Sequence, residues 1–129
     1  MFSPTILAHV SDPHTMGALA DAEVIGQAGA PGEGPFMRLF LRLEADRIAE
    51  ARFETYGCPV AIACGSWVTQ WATGRTLAQV RVLEAGDLER VLGGLPLGKE
   101  HCAQMTVQAL QDGLAKAGQT HNPIRRNES

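Results

Sequence analysis

The sequence predicts an α+β fold: a small antiparallel three-stranded sheet packed against helices, with a long C-terminal helix. Two observations carry this. Residues 36–43 and 47–56 are neighbouring runs in which apolar and polar side chains alternate, the period of half-buried strands. From Pro59 onward the apolar residues recur at helical spacing instead. Strands grouped ahead of helices, without strand–helix alternation, read as α+β rather than α/β.

The elements follow in order. Ser3-Pro4 starts a short helix over residues 2–8, and Ser11 to Gly17 reads as a turn. Residues 1–20 are therefore expected to form an N-terminal arm, of a kind that is often mobile. Val24-Ile25 adds a short third strand, and residues 26–35 read as a Gly/Pro-rich loop. In the first clear strand Met37, Leu39, Leu41 and Leu43 share one face, with Arg38 and Arg42 on the other. Glu44-Ala45-Asp46 reverses the chain. In the next strand Ala49, Ala51 and Phe53 face one way, and Glu50, Arg52 and Glu54 the other. The two runs make a hairpin with one wet face.

Pro59 to Trp71 forms a helix of small apolar residues, with Gly74 past its end. Thr76 caps the next helix, which buries Leu77, Val80 and Leu83. Asp87 to Leu92 is another short helix, stopped by Gly93-Gly94. The longest helix runs from Lys99 to about Ala117, on a stripe of Ala103, Val107, Leu110, Leu114 and Ala117. The expected organisation is an arm over 1–20, a domain over 21–118 and a polar, disordered tail over 119–129.

Composition narrows the function. At 129 residues the chain is sized for one domain with a real core. Its charged share of 19% lies below the usual ~25%, which points to surface covered by a partner. A net charge of −3 gives no ground for nucleic-acid binding. No apolar run approaches the ~20 residues of a membrane-spanning helix, and no signal-peptide pattern opens the chain. An odd count of three cysteines argues for reduced thiols and a cytoplasmic setting rather than a disulfide framework.

The chemistry gathers at Tyr56-Gly57-Cys58-Pro59 and His101-Cys102. Pro59 at a first helical position puts Cys58 at an N-cap, and His101 and Cys102 fall in the first turn of the last helix. Helix N-termini favour thiolate over thiol, the form that binds soft metals or attacks sulfur. Cys58, His101 and Cys102 are thus the candidate ligands. Glu33, on the Gly/Pro loop, is either a solvated surface carboxylate or a fourth ligand brought over the site. Cys64, inside an apolar helix, reads as core, or as a replacement thiol if that helix unwinds at its start. Lys99 tunes the thiols or sits at the surface. Trp67 and Trp71 are core or partner contacts. His9, His14 and His121 read as surface residues.

Several of these motifs together resemble the NifU/IscU-type iron–sulfur cluster scaffold family, over about His9 to Ala117. Asp12-Pro13-His14-Thr15-Met16-Gly17 is similar to the family's "NPRNVG" stretch, and Gly29-Ala30-Pro31 to the start of its "GAPACGD" loop. Phe53 to Cys58 is close to "FKTYGC". Ala61-Ile62-Ala63, Val68-Thr69-Gln70-Trp71, Gly93-Gly94-Leu95-Pro96 and Lys99-Glu100-His101-Cys102 follow in the family's order. The spacing from Cys58 to Cys102 leaves no room for the insertion of SufU-type relatives.

The resemblance implies a protein that holds a [2Fe–2S] cluster, or zinc in its place, and works with a cysteine desulfurase and iron–sulfur acceptor proteins. It maps the second and third family cysteines onto Cys58 and Cys102, and the family histidine onto His101. Where the family has its first cysteine this chain has Glu33, and where it has an aspartate this chain has Pro35. A carboxylate binds zinc or one iron but cannot carry a persulfide. Leu95-Pro96-Leu97-Gly98-Lys99 also departs from "LPPVK", the family's chaperone-recognition segment. Two functions follow as expectations. One is a non-enzymatic scaffold-like accessory that binds iron, a cluster or zinc. The other is a degenerate scaffold kept as a structural or interaction subunit of a larger assembly, with zinc or no metal. A hydrolytic zinc enzyme with Glu33 as base has no prepared substrate pocket behind it.

Overall fold

The structure is a computed structural model and describes residues 2–13 and 15–120. In chain order the elements are α1 (Pro4–Ser11), β1 (Val24–Gly29), β2 (Phe36–Glu44), β3 (Arg47–Tyr56), α2 (Pro59–Ala72), α3 (Leu77–Arg81), α4 (Ala85–Val91) and α5 (Glu100–Thr120). The strands form one antiparallel sheet in the order β1-β2-β3. The α+β architecture is the expected one, long last helix included.

Alternation dictates which face of the sheet is covered. Met37, Leu39, Leu41 and Leu43 turn inward and are buried with Leu110, Leu114 and Val68 from α5 and α2. The opposite face carries ion pairs, Arg38 with Glu54 and Arg42 with Glu50 among them. A second apolar cluster joins Ile6, Val60, Cys64, Leu88, Leu92, Cys102 and Ala103. It ties α1 and α4 to the first turns of α2 and α5, where the candidate ligands lie.

Three details depart from the sequence reading. First, β1 runs to Gly29, so residues 26–29 belong to the sheet and the loop shrinks to residues 30–35. Gly26 is strand because α5 crosses directly over it: a Cβ there would lie 2.1 Å from the Ala109 carbonyl oxygen. A glycine in a strand marks such close backbone approach. Second, Arg42 faces Glu50 but Leu43 faces Ile48, so Ala49 has no partner across the ladder. This bulge resets the alternation. Ile48 is fully buried and Ala49 is not, the reverse of the expected faces.

Third, the segment expected to be a loose arm is docked. Ser3 Oγ accepts from the Ile6 amide at 3.1 Å and donates to the Leu92 carbonyl, and Ile6 is wholly buried. His9 is no free surface residue, since its Nδ1 lies 2.7 Å from the buried Ser66 hydroxyl. Thr15 and Gly17 hydrogen-bond along β3 at Phe53, covering that edge. His14, His121 and the expected tail beyond Thr120 lie outside the described residues. Trp67 and Trp71 stack at 5.5 Å on α2, with the Arg75 guanidinium 4.7 Å from the Trp71 ring centre. No helix among the described residues is long and apolar enough to cross a membrane.

Candidate metal centre

Two helix starts bring the sulfurs together. β3 ends at Tyr56, and Cys58 takes the N-cap of α2 in extended conformation with Pro59 at the first helical position. The loop after α4 ends at Lys99, whose carbonyl accepts from the Cys102 amide at 3.0 Å and so opens α5. Cys58 Sγ and Cys102 Sγ then lie 3.9 Å apart, and Cys102 Sγ lies 3.7 Å from His101 Nε2. Cys58 is half-buried, Cys102 is only 2% exposed and His101 is exposed.

The two sulfurs are electrostatically unequal. Burial pushes the Cys58 thiol up, but the amides of Ala61 and Val60, the Cys102 thiol and the Lys99 ammonium together outweigh it. Cys58 is therefore held below an ordinary thiol, although its sulfur makes no cap hydrogen bond of regular geometry. Cys102 is pushed up to about 12, by burial first and then by the neighbouring Cys58. Of the two, Cys58 is thus the sulfur that gives up its proton more readily, and Cys102 the one that stays a thiol.

The spacing suits a tetrahedral metal. Two thiolates bound to one ion at about 2.3 Å and the tetrahedral angle lie about 3.8 Å apart. The observed separation is 3.9 Å. Beyond that pair the donor set is not closed. Among the described residues no group of three His, Cys, Asp or Glu side chains is arranged to hold a metal. His101 adjoins Cys102 and is exposed. Glu33 is exposed on the loop, and its carboxylate makes no hydrogen bond or ion pair among the described residues. The structure brings Cys58, Cys102 and His101 together and does not bring Glu33 to them.

Cys64 lies wholly inside α2, and burial pushes its thiol up to about 12, with Cys102 and Cys58 adding to the effect. It is a packed thiol near the pair, not a displayed ligand. Sequence reasoning missed Thr106. That residue is fully buried, its hydroxyl donates to the Cys102 carbonyl at 2.8 Å, and it acts against the upward shift of the Cys64 thiol. The available signal was a threonine one turn after Cys102 within the apolar stripe. Also missed was a cavity of about 300 Å³ under the loop, lined by Gly32, Gly34, Phe36 and Tyr56.

Residues 1–122 match the family described as "NifU-like N terminal domain". The chain belongs to this family. It is 32% identical over 114 residues to the iron-sulfur cluster assembly scaffold protein IscU 1 of Archaeoglobus fulgidus, covering 88% of this chain and 74% of that protein. It is 42% identical over 104 residues to the nitrogen fixation protein NifU of Cereibacter sphaeroides, covering 81% of this chain but 42% of that longer one. Among solved structures, a putative cluster assembly scaffold for the SUF system from Fervidobacterium islandicum superposes with a TM-score of 0.69 at 17% identity. That superposition covers 88% of this chain and 96% of the other, and shows a shared fold. In this NifU-like domain the sulfur pair thus sits on the fold of named scaffold proteins.

Proposed function

We propose that the chain is a scaffold-like accessory of iron–sulfur metabolism, which takes iron, a [2Fe–2S] cluster or zinc as cargo at Cys58, Cys102 and His101. The observation that carries the reading is the sulfur pair itself, held at a one-metal spacing by two helix starts. The named functions of the relatives support it. Cys58 supplies the accessible thiolate, Cys102 the second sulfur and His101 the imidazole. The remaining position falls to Glu33, if its loop swings in, or to a donor from a partner such as a cysteine desulfurase or a cluster acceptor. With Glu33 as the oxygen donor the set is a mixed one that suits zinc or a single iron better than an all-thiolate cluster. Holding and passing on cargo requires no turnover chemistry of the chain.

A second reading, a degenerate scaffold kept as a structural or interaction subunit, is favoured by one observation. Exposed large side chains lie near the cysteines in the chain, Tyr56 two residues before Cys58 at 65% and Leu97 five before Cys102 at 96%. Protein purified anaerobically separates the two. Iron and acid-labile sulfide in equal amounts, or stoichiometric zinc, both lost in Cys58→Ala and reduced in His101→Ala, are expected. Metal content unchanged by those substitutions sinks the site, and absence of metal from the anaerobic protein favours the subunit. Glu33→Cys should raise cluster retention if the loop reaches the site.

A further inference from the structure

We infer that Cys58 and Cys102 are a redox pair, which closes to an intramolecular disulfide on reaction with a low-molecular-weight disulfide. The closure itself stands on geometry. That it also empties the donor set rests on the reading proposed above.

The sulfurs are already in contact at 3.9 Å. A disulfide bond is about 2.05 Å long, so the remaining gap is about 1.9 Å, shared between two side chains. Cys58 has the freedom to close it. No cap hydrogen bond of regular geometry holds its sulfur, its backbone is extended and it follows a glycine. Exposure fixes the order of events. Cys102, at 2% exposed, is shielded from an external reagent but touches Cys58, whereas half-buried Cys58 meets solvent. The Cys58 sulfur attacks the reagent, forming one mixed disulfide and releasing one small thiolate. The Cys102 sulfur then attacks the Cys58 sulfur, forming the internal bond and expelling the second small thiolate, which takes the Cys102 proton. Two protein thiols are oxidised and one reagent disulfide is reduced to two thiols. Cys64 takes no part, being wholly buried within α2.

The test uses the full chain, reduced and stripped of metal, then treated with glutathione disulfide and read by intact mass and peptide mapping. Wild type and Cys64→Ala should each lose two hydrogens, with the bond mapping to Cys58 and Cys102. Cys102→Ser should stop at one glutathionyl group on Cys58, and Cys58→Ser should not react. Cys102→Ala repeats the arrest should the serine disturb the buried position, with circular dichroism confirming that each variant folds. A stable glutathionyl adduct on wild type without closure overturns the pair, as does first reaction at Cys102 or Cys64. Zinc added beforehand separates the two readings. Closure that zinc fails to slow leaves the redox pair standing and removes the metal site. Zinc binding lost in Cys58→Ala, without closure in the metal-free protein, does the opposite.

Discussion

Replacing Gly26 with alanine should push the long helix off the sheet. A methyl group there would lie 2.1 Å from the Ala109 carbonyl oxygen, 2.6 Å from the Gly113 nitrogen and 2.9 Å from the Gly113 Cα. All three are backbone atoms, so no rotamer change relieves them. Restoring a contact of 3.0 Å moves α5 from β1 by about 0.9 Å at the tightest point. A gap of that size forfeits a quarter to a half of the van der Waals attraction across it. The same interface holds Leu110 and Leu114, both essentially buried, in one cluster with Val24 and Leu41. Burying a leucine is worth about 1.5–3 kcal/mol, so a quarter to a half of two leucines is roughly 1–3 kcal/mol. Loss of the hydrogen bond from the Gln27 amide to Asp112, at 2.9 Å, adds about 1 kcal/mol. The expected cost is about 2–4 kcal/mol, a large part of the ~5–15 kcal/mol of a typical domain. With a urea slope of about 2 kcal/mol/M, the midpoint should fall by roughly 1–2 M. Gly118→Ala is the control: nothing lies within 4 Å of its built Cβ, and helix propensity alone should give up to about 1 kcal/mol of gain. A Gly26→Ala loss under about 1 kcal/mol at unchanged slope would refute the close crossing, and with it the placement of α5 that carries His101 and Cys102.

Two further outcomes are expected. The Gln27 amide and the Lys116 ammonium hold the Asp112 carboxyl below its usual range. Its folded-state value is thus depressed, so its contribution to stability is present above the unfolded value of about 3.9 and is lost as pH falls through the folded one. Asp112→Asn should cost about 1 kcal/mol near neutrality, since the carboxylate is partly exposed, and should flatten the acid limb of a urea-midpoint profile below about pH 4. An unchanged acid limb would show that Asp112 is unpaired in solution. For the thiols, Cys58 should alkylate first in the folded protein, with a rate midpoint below that of the same cysteine in the unfolded chain. Lys99→Ala should move that midpoint upward. Equal reaction of Cys58 and Cys64 without denaturant would contradict the burial of Cys64.

What the chain's residues disclose locally is what could be read before the structure. The N-cap place of Cys58 depends on Pro59 beside it, and the cap of α3 on Thr76 and Gln79, three residues apart. Such features are settled within a turn of helix, so the two sulfur positions and the helix that buries Cys64 were legible. The departures all involve segments distant in the chain. β1 reaches Gly29 because α5 crosses Gly26, and the faces of β3 switch because register places Ala49 opposite nothing. His9 is drawn in by Ser66, and α1 by Leu92. Periodicity reports which side of an element is apolar, not which backbone comes to meet it.

Glu33, read from the sequence either as solvated or as a fourth ligand, shows the same division. It lies between Gly32 and Gly34, at φ 87° and 108°, and nothing would meet a Cβ built at either glycine within 4 Å. These glycines fit the turn that the loop makes, but they give no packing that fixes the carboxylate. Fixing one residue's backbone costs about 1–2 kcal/mol, so drawing the loop over the sulfur pair incurs that cost at each residue it orders. Cys58 and Cys102 incur no such cost, because folding has already set their helix starts. On the function proposed above, the binding energy of the centre resides in the sulfur pair, and the loop is the part that leaves a coordination position to a donor from another protein.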